Sequence, residues 1–349
     1  MPEQVLEAAK AELMNYRGSG MSVMEMSHRS KAFAEIFAQT KDKLRSALSV
    51  PDTHEILLLQ GGATLQFASV PLNLIGKTGS ADYAVTGHFS SIAAREAEKY
   101  GTVHIACDSS AEGHSYIPPQ EKLSLSDNAS YFYYCANNTI YGTEWQYTPR
   151  AKAPLVCDMS SDILSRPVKV SDYGLIFAGA QKNMAPAGLT VVIIDKSLTG
   201  AQLAFCPQVM EYDTLIAKDS MLNTPPCWCI YMLGLTLDWL EGIGGVAEME
   251  RIKHERAAIL YDVLDNSRLF GLRARPGSRS DMNVTFSTGS AELDAEFVDG
   301  AARLGMVNLK GHRVTGGMRA SLYNAMPMEG VLKLTEYIKD FEVKHNVQG

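Results

Sequence analysis

A single lysine, Lys182, stands in the polar turn AQKNMAP between two apolar, strand-like runs, YGLIFAG and GLTVVIID. A chain that only had to reverse direction there would use Gly, Asn and Asp. A lysine so placed is either a solvent-facing turn residue or a nucleophile. Desolvation and neighbouring positive charge lower an amine from its ordinary pKa of about 10.4 toward neutrality, where it can attack a carbonyl carbon. Upstream, the run PLVCD ends in Asp158. A carboxylate after four apolar residues needs a partner, because desolvating it alone costs on the order of several kcal/mol. That partner is a helix start, a serine such as Ser160 or Ser161, or a buried ligand cation, and the local sequence leaves the choice open.

Two segments carry clustered cations: MSHRS with His28 and Arg29, and LKGHRVTGGMRASLYN with Lys310, His312, Arg313 and Arg319. Basic runs are often solvated faces. These lie among glycines and small polar residues, which let backbone approach a ligand closely. Arginine reads carboxylate and phosphate bidentately, at about 1.5–3 kcal/mol per charged hydrogen bond, and a small dianionic substrate would need several such groups. The segment QGGATLQF follows a strand pattern and opens a helix. It lacks the Lys-Ser/Thr pair of a triphosphate loop, but free N–H groups and the Thr64 hydroxyl suit one phosphate monoester. A plain strand-to-helix turn is the alternative. GIGGVA at 242–247 follows a helix rather than a strand and reads as a helix-to-helix loop.

Elements must hold these residues in place. HEILLLQGG, ADYAVTG, TVHIACD, SYFYYCANN, PLVCDMS, YGLIFAG and LTVVIID each read as a buried strand, with helix patterns such as TLQFASVPLNLI and SSIAAREAEKYG between some of them. Strands alternating with helices predict an α/β fold with a large, mostly parallel sheet covered on both faces. Ligands of such sheets gather at the carboxyl ends of strands. One site there would collect 60–62, 86–87, 137–139 and 158–160 together with the lysine turn. After about residue 240 the pattern shifts to a long amphipathic helix, MNVTFSTG, a helix through 293–304, a short VNLKGHR run and a closing helix from about Met328. This predicts a large domain over 1–240 and a smaller α+β C-terminal domain over 241–349, with residues 1–13 packing on the smaller one.

Bulk composition narrows the function. A chain of 349 residues with 46% hydrophobic and 20% charged content can bury a large core or two domains sharing a cleft. A net charge of −7 argues against a nucleic-acid or anionic-membrane partner. The apolar stretch CWCIYMLGLTLDWL contains Asp238 and is too short to span a bilayer, so it reads as a buried helix. The N-terminal MPEQVLEAAKAEL is a charged amphipathic helix pattern rather than a signal peptide. Six scattered cysteines, with a lone CxC at Cys227 and Cys229, predict reduced thiols in a cytoplasmic protein and no metal site.

Taken together, Asp158, AGAQKN around Lys182 and GHRVTGGMRASLYNAM resemble the phosphoserine aminotransferase family, pyridoxal-phosphate enzymes of fold type I in the class V group. The likeness runs through DMSSDILSRPVKVSDYGLIFAGAQKN, CANNTIYG and LNTPPCWCIYMLGL and covers nearly the whole chain. The resemblance implies that Lys182 anchors pyridoxal 5'-phosphate covalently and moves the substrate α-proton. It implies that Asp158 pairs with the cofactor's pyridine nitrogen and that Thr139 bonds its phenolic oxygen. Ala63, Thr64 and Gln181 would hold the cofactor phosphate, with Asn223 and Thr224 reaching it from the neighbouring subunit of a homodimer. Arg319 would clamp the substrate α-carboxylate. His28 and Arg29, with His312 and Arg313 from the partner, would take the substrate phosphate or the side-chain carboxylate of glutamate. The family's cofactor-stacking tryptophan reads Phe89 here, or His88 if the register slips by one. The family's Gly-Pro-containing segment ahead of the Pro-Glu-x-Val helix has no counterpart before Met1-Pro2-Glu3.

The reaction so implied moves the amino group of L-glutamate to 3-phosphohydroxypyruvate, giving O-phospho-L-serine and 2-oxoglutarate, a step of serine synthesis. The rival readings are another class V enzyme, such as an alanine–glyoxylate aminotransferase or a cysteine desulfurase, and a non-enzymatic α/β binding protein. The cluster of His28, Arg29, His312 and Arg313 speaks against the first, and the lack of an evident active-site-loop cysteine against the second.

Overall fold

The apolar runs are largely unbroken because the sheet they build is buried on both faces except at its edge strand, Thr102–Asp108. The computed structural model describes residues 1–346, so the last three positions of the predicted second domain lie outside the described residues. Helices α1 (Glu3–Glu12) and α2 (Lys31–Ala47) lead into β1 (His54–Leu59), α3 (Gly62–Leu74), β2 (Ser80–Val85), α4 (His88–Ala97) and β3 (Thr102–Asp108). Next come β4 (Phe132–Cys135), β5 (Asn137–Asn138), β6 (Thr143–Glu144), β7 (Leu155–Asp158), β8 (Leu175–Gly179), β9 (Thr190–Asp195), α5 (Tyr212–Ala217) and α6 (Cys227–Gly242). The chain closes with α7 (Gly245–Asp265), β10 (Gly271–Leu272), β11 (Asn283–Ser287), α8 (Ala291–Arg303), β12 (Met318–Ser321) and α9 (Met328–Asn346).

Seven strands form one sheet in the order β1-β9-β8-β7-β4-β2-β3, and they are the seven runs read as strands. Only β9 runs against its neighbours β1 and β8, and the remaining pairs are parallel. Successive side chains of a strand point to opposite faces. On β8, Ile176 and Ala178 pack with Phe33 and Phe37 of α2 and Leu233 of α6. Leu175 and Phe177 face the other way, toward Phe67 and Val70 of α3 and Tyr212 of α5. With both faces covered, every position favours an apolar residue, so the runs are continuous rather than alternating. Among the described residues no helix is long and apolar enough to cross a membrane, and α6 lies in the core through Ile230, Leu233 and Leu237.

A third core gathers Leu260 and Leu264 of α7, Phe297 of α8, Ile338 and Phe341 of α9 and the inward residues of the antiparallel β10-β11-β12 sheet. The VNLKGHR run contributes one bridge, Lys310 to Met318. The strand forms beyond it at Met318–Ser321, because the His312 carbonyl accepts the N–H groups of Thr315 and Gly316 and reverses the chain. α1 lies on α6: its Val5 and Ala9 belong to the large core, and Tyr231 Oη donates to Glu12 Oε2 at 2.7 Å.

The β5–β6 hairpin joins the two sheets. Asn137 Nδ2 donates to Ser161 Oγ at 2.8 Å and to Asn283 Oδ1 at 2.9 Å, and Ser280 Oγ donates to Asn137 Oδ1 at 2.5 Å. Lys253, buried, pairs with Glu144 at 3.2 Å. Thr285 Oγ1 donates to Tyr141 O at 3.0 Å, across a backbone approach so close that a Cβ on Gly142 would sit 2.6 Å from that hydroxyl. Gly142 also has φ +74°. Gly142→Ala should therefore cost about 2–4 kcal/mol, from left-handed strain and overpacking together. Urea unfolding checks this, and an unshifted midpoint would show that the hairpin can move off β11.

Candidate active site

The strand-end residues meet because parallel strands of one sheet finish on one edge. On that edge β7 ends in Asp158, β8 ends in Gly179 and runs into the lysine turn, and β2 ends one residue before Thr86-Gly87. Asp158 is buried, and its Oδ1 accepts the Ser160 N–H at 2.9 Å. Burial pushes its carboxyl above the usual carboxylate range, while the charge of Lys182 and the Ser160 hydrogen bonds pull it back. Ser160 Oγ in turn accepts the Gly179 N–H at 3.0 Å, which ties the end of β7 to the start of the lysine turn. The turn is fixed from its far side by Asn183. Its Nδ2 donates to Ile163 O at 2.9 Å, and its Oδ1 accepts the Asn324 N–H at 3.0 Å.

Lys182 is half-buried, with Nζ 5.8 Å from the centroid of the Phe89 ring. Phe89 therefore faces the lysine, whereas His88 beside it faces His312 at 6.0 Å between ring centroids. Gly87 has no room for a side chain: a Cβ there would lie 2.3 Å from Asn138 Oδ1. That contact seats the His88–Phe89 pair against the hairpin that carries Thr139. Arg319 Nη1 donates to Thr139 O at 3.1 Å, so β12 delivers its guanidinium to the same hairpin. Arg319 Nε is buried without a hydrogen-bond partner.

His312 and Arg313 stand in the turn before β12. Burial first, then the charges of His88, Arg319 and Arg313, hold the His312 imidazole below the ordinary histidine range. Within one chain His312 thus lies beside His88 and within the field of Arg319 and Arg313. Ala63 and Thr64 occupy the first turn of α3, where backbone N–H groups lack intrahelical acceptors. Gln181 folds back over Gly179, its Oε1 within 2.7 Å of where a Cβ would lie.

The remaining predicted residues sit apart. Asn223 Nδ2 donates to Gln60 Oε1 at 2.9 Å, and Gln60 Nε2 donates to Thr224 O at 3.1 Å, beside a cavity of ≈ 300 Å³ lined by Gly61, Leu65 and Val209. His28 is half-buried and Arg29 exposed, and among the described residues no hydrogen bond or ion pair links either to the lysine site. Sequence reading passed over the buried amides Asn137, Asn138, Asn183 and Asn324 as positioning groups. The paired asparagines at a strand end were the one visible signal.

The donor set fits pyridoxal phosphate. It offers an amine for an aldehyde, an aromatic face beside that amine, a buried carboxylate for a pyridinium and a helix start for a phosphate. Residues 1–334 match the family Aminotransferase class-V. The chain is 46% identical over 354 residues to the phosphoserine aminotransferase of Nitrosomonas europaea, covering 99% of this chain and 96% of that one. It superposes with a TM-score of 0.97, at 44% identity and 99% and 96% coverage of the two chains, on a structure described as radiation damage of the Schiff base in phosphoserine aminotransferase. A PLP-bound phosphoserine aminotransferase from Trichomonas vaginalis matches with a TM-score of 0.94, at 39% identity and 97% coverage of each chain.

Asp158 yields a stability test. Its folded pKa is raised, so its contribution is fully present only while it is protonated and is lost as pH rises through the folded value. Cofactor-free Asp158→Asn should be more stable than cofactor-free wild type at pH 7, by about 1–2 kcal/mol, with the gap closing toward pH 4. Thermal melts of both proteins across that range check the sign. A variant less stable at pH 7 would contradict it.

Proposed function

From the premise that this chain belongs to the class-V aminotransferases, and within them to the phosphoserine aminotransferases, we propose that its lysine site moves an amino group from L-glutamate to 3-phosphohydroxypyruvate in two half-reactions, giving phosphoserine and 2-oxoglutarate. The observation that carries this reading is the buried carboxylate of Asp158 within the field of Lys182, whose Nζ lies 5.8 Å from the centroid of the Phe89 ring.

Pyridoxal phosphate, when bound, supplies a protonated heterocycle that draws electrons from the substrate α-carbon. Asp158 would keep that positive charge in place, and the pairing would offset the cost of its own burial. Phe89 would support the ring face, and Thr139 and Gln181 would bond its polar substituents. Ala63 and Thr64 at the start of α3 would hold the phosphate, where N–H groups and the helix dipole both favour an anion. Lys182 would carry the α-proton from one carbon to the other, its amine free to swing because the turn is pinned at Asn183 and not at the lysine. Arg319 would orient the α-carboxylate common to both substrates. His28, Arg29, His312 and Arg313 would read the second anion, a phosphate in one substrate and a carboxylate in the other. One cationic pocket serves both half-reactions because both substrates carry that second charge at similar reach.

A second copy of the chain would complete the site, its Asn223 and Thr224 reaching the cofactor phosphate. The exposed Leu65 and Val209 beside the Gln60–Asn223 contact support a covered surface there. All six cysteines are free thiols, which agrees with a reducing, cytoplasmic setting.

Borohydride treatment of the yellow protein should fix the cofactor mass on the peptide holding Lys182. Lys182→Met should lower transamination to below about 10⁻³ of the wild-type rate. Either cofactor fixed elsewhere or full activity in the variant would refute the assignment. Arg313→Ala should lower kcat/KM for phosphoserine about 10²-fold while changing that for serine little, because only the phosphate ester loses a charged hydrogen bond. A wild-type enzyme that used serine as well as phosphoserine would sink the substrate reading.

A further inference from the structure

Arg256 stands in the middle of α7 and is fully buried. A cation in such a place normally pairs with a carboxylate. Burial alone pulls this guanidinium down, to about 10, and no carboxylate pulls it back. Its Nη1 donates instead to three backbone carbonyls of one turn: Tyr323 O at 3.4 Å, Asn324 O at 3.2 Å and Met326 O. Nε and Nη2 are buried with no hydrogen-bond partner. A guanidinium so incompletely satisfied is a costly way to fill core space, where an apolar side chain of similar volume is often as good for stability or better. What Arg256 contributes lies in the turn it grips.

That turn carries Asn324, which reaches both halves of the site. The Asn324 N–H donates to Asn183 Oδ1 at 3.0 Å, next in the chain to Lys182, and Asn324 Nδ2 donates to Leu164 O at 2.9 Å. Leu164 belongs to the turn that follows Asp158 and sits in the left-handed region at φ +61°. Leucine holds that conformation only where its surroundings impose it. Asn183 closes the set, its Nδ2 donating to Ile163 O at 2.9 Å in the same turn. Two buried asparagines thus cross-link the turn after Asp158 to the turn of Lys182, and Arg256 grips the backbone from which one of them projects.

We propose that Arg256 is a positioning residue for the lysine site: by fixing the backbone of 323–326 it holds Asn324 against Asn183 and Leu164, and so sets the placement of Lys182 relative to Asp158 from the C-terminal part of the chain. This rests on the reading of Lys182 and Asp158 as the groups that hold the cofactor, and it names what aligns them. The side-chain hydrogen bonds of Arg256 all go to this one turn, so it acts through Asn324 and grips no substrate. Misplacing a reacting group by about 1 Å costs a rate on the order of 10²-fold. The loss would fall on kcat for both substrate pairs and not on the KM of either.

Cofactor-loaded Arg256→Met should lower kcat about 30-fold for glutamate and for phosphoserine alike, with each KM within about threefold of wild type. It should also move the pH midpoint of the bound cofactor's colour change by about half a unit or more, because that midpoint reads the charges around the cofactor. A cavity of ≈ 570 Å³ lined by Arg256, Asn324, Met326 and Trp239 opens beside the guanidinium. Millimolar guanidinium chloride should therefore raise kcat of Arg256→Ala about fivefold and leave wild type and Asn324→Ala unchanged. If Arg256→Met fails to load cofactor, Arg256→Lys, which keeps a donor for the carbonyls, and the rescue of Arg256→Ala carry the same test. An Arg256→Met enzyme with wild-type kcat and colour midpoint overturns the proposal. So does activity that falls only in step with the folded fraction and is not rescued by guanidinium. Lys182→Met separates the two levels: full activity there removes the reading of the site itself, whereas an inactive Lys182→Met beside wild-type rates in the Arg256 variants removes only the role of Arg256.

Discussion

The structure turns on a carboxylate held where no carboxylate is stable alone. Asp158 closes a strand whose other three residues, Leu155, Val156 and Cys157, are in the apolar core. One backbone N–H, one serine and the field of a half-buried lysine are what the chain itself sets against the cost of desolvation. A cation placed opposite the carboxylate would offset that deficit, whereas a neutral group of equal shape would not.

The rest of the molecule keeps that carboxylate and the lysine at fixed separation while letting the amine move. Ser160 ties the two strand ends to each other, and Asn183 and Asn324 lock the lysine turn to the opening of the closing segment. Every polar atom named is buried and directional. A shift of either strand would break hydrogen bonds that water cannot replace. The side chain of Lys182 is exempt: Phe89 is the aromatic neighbour it faces. The proton transfer proposed for Lys182 would need both rigidity of the frame and freedom of the amine.

The proposed site is assembled across the two sheets. The large sheet carries the lysine and the carboxylate, and the small sheet carries Arg319 on β12. The β5–β6 hairpin, fastened to β11 at Thr285 and to α7 by the buried Glu144–Lys253 pair, sets the distance between them. In the proposed mechanism chemistry and recognition would reside on separate cores, with the hairpin as the joint between them.

Much of this was legible in the chain. Seven apolar runs gave seven strands, because a sheet buried on both faces leaves an unbroken apolar signature, and polar residues at the ends of those runs marked the edge on which ligands collect. Lys182, Asp158 and the arginines stood out as charges for which the local sequence left both a structural and a chemical use open, and only the family resemblance chose between them. The sequence alone thereby determined the fold class and, through the family resemblance, the aminotransferase chemistry. It could not show that Phe89 and not His88 faces the lysine, since adjacent residues differ only in direction and direction follows from Gly87 pressed on Asn138. Nor could it show that the strand bearing Arg319 begins after the His312 turn, or that Asn137 with Asn283 and Asn183 with Asn324 join the large-sheet edge to the C-terminal part. The joints depend on partners more than a hundred residues away, such as Asn137 with Asn283 and Arg319 with Thr139. Hydrogen bonds between distant residues leave no periodicity in a chain, so only the tertiary structure decided them.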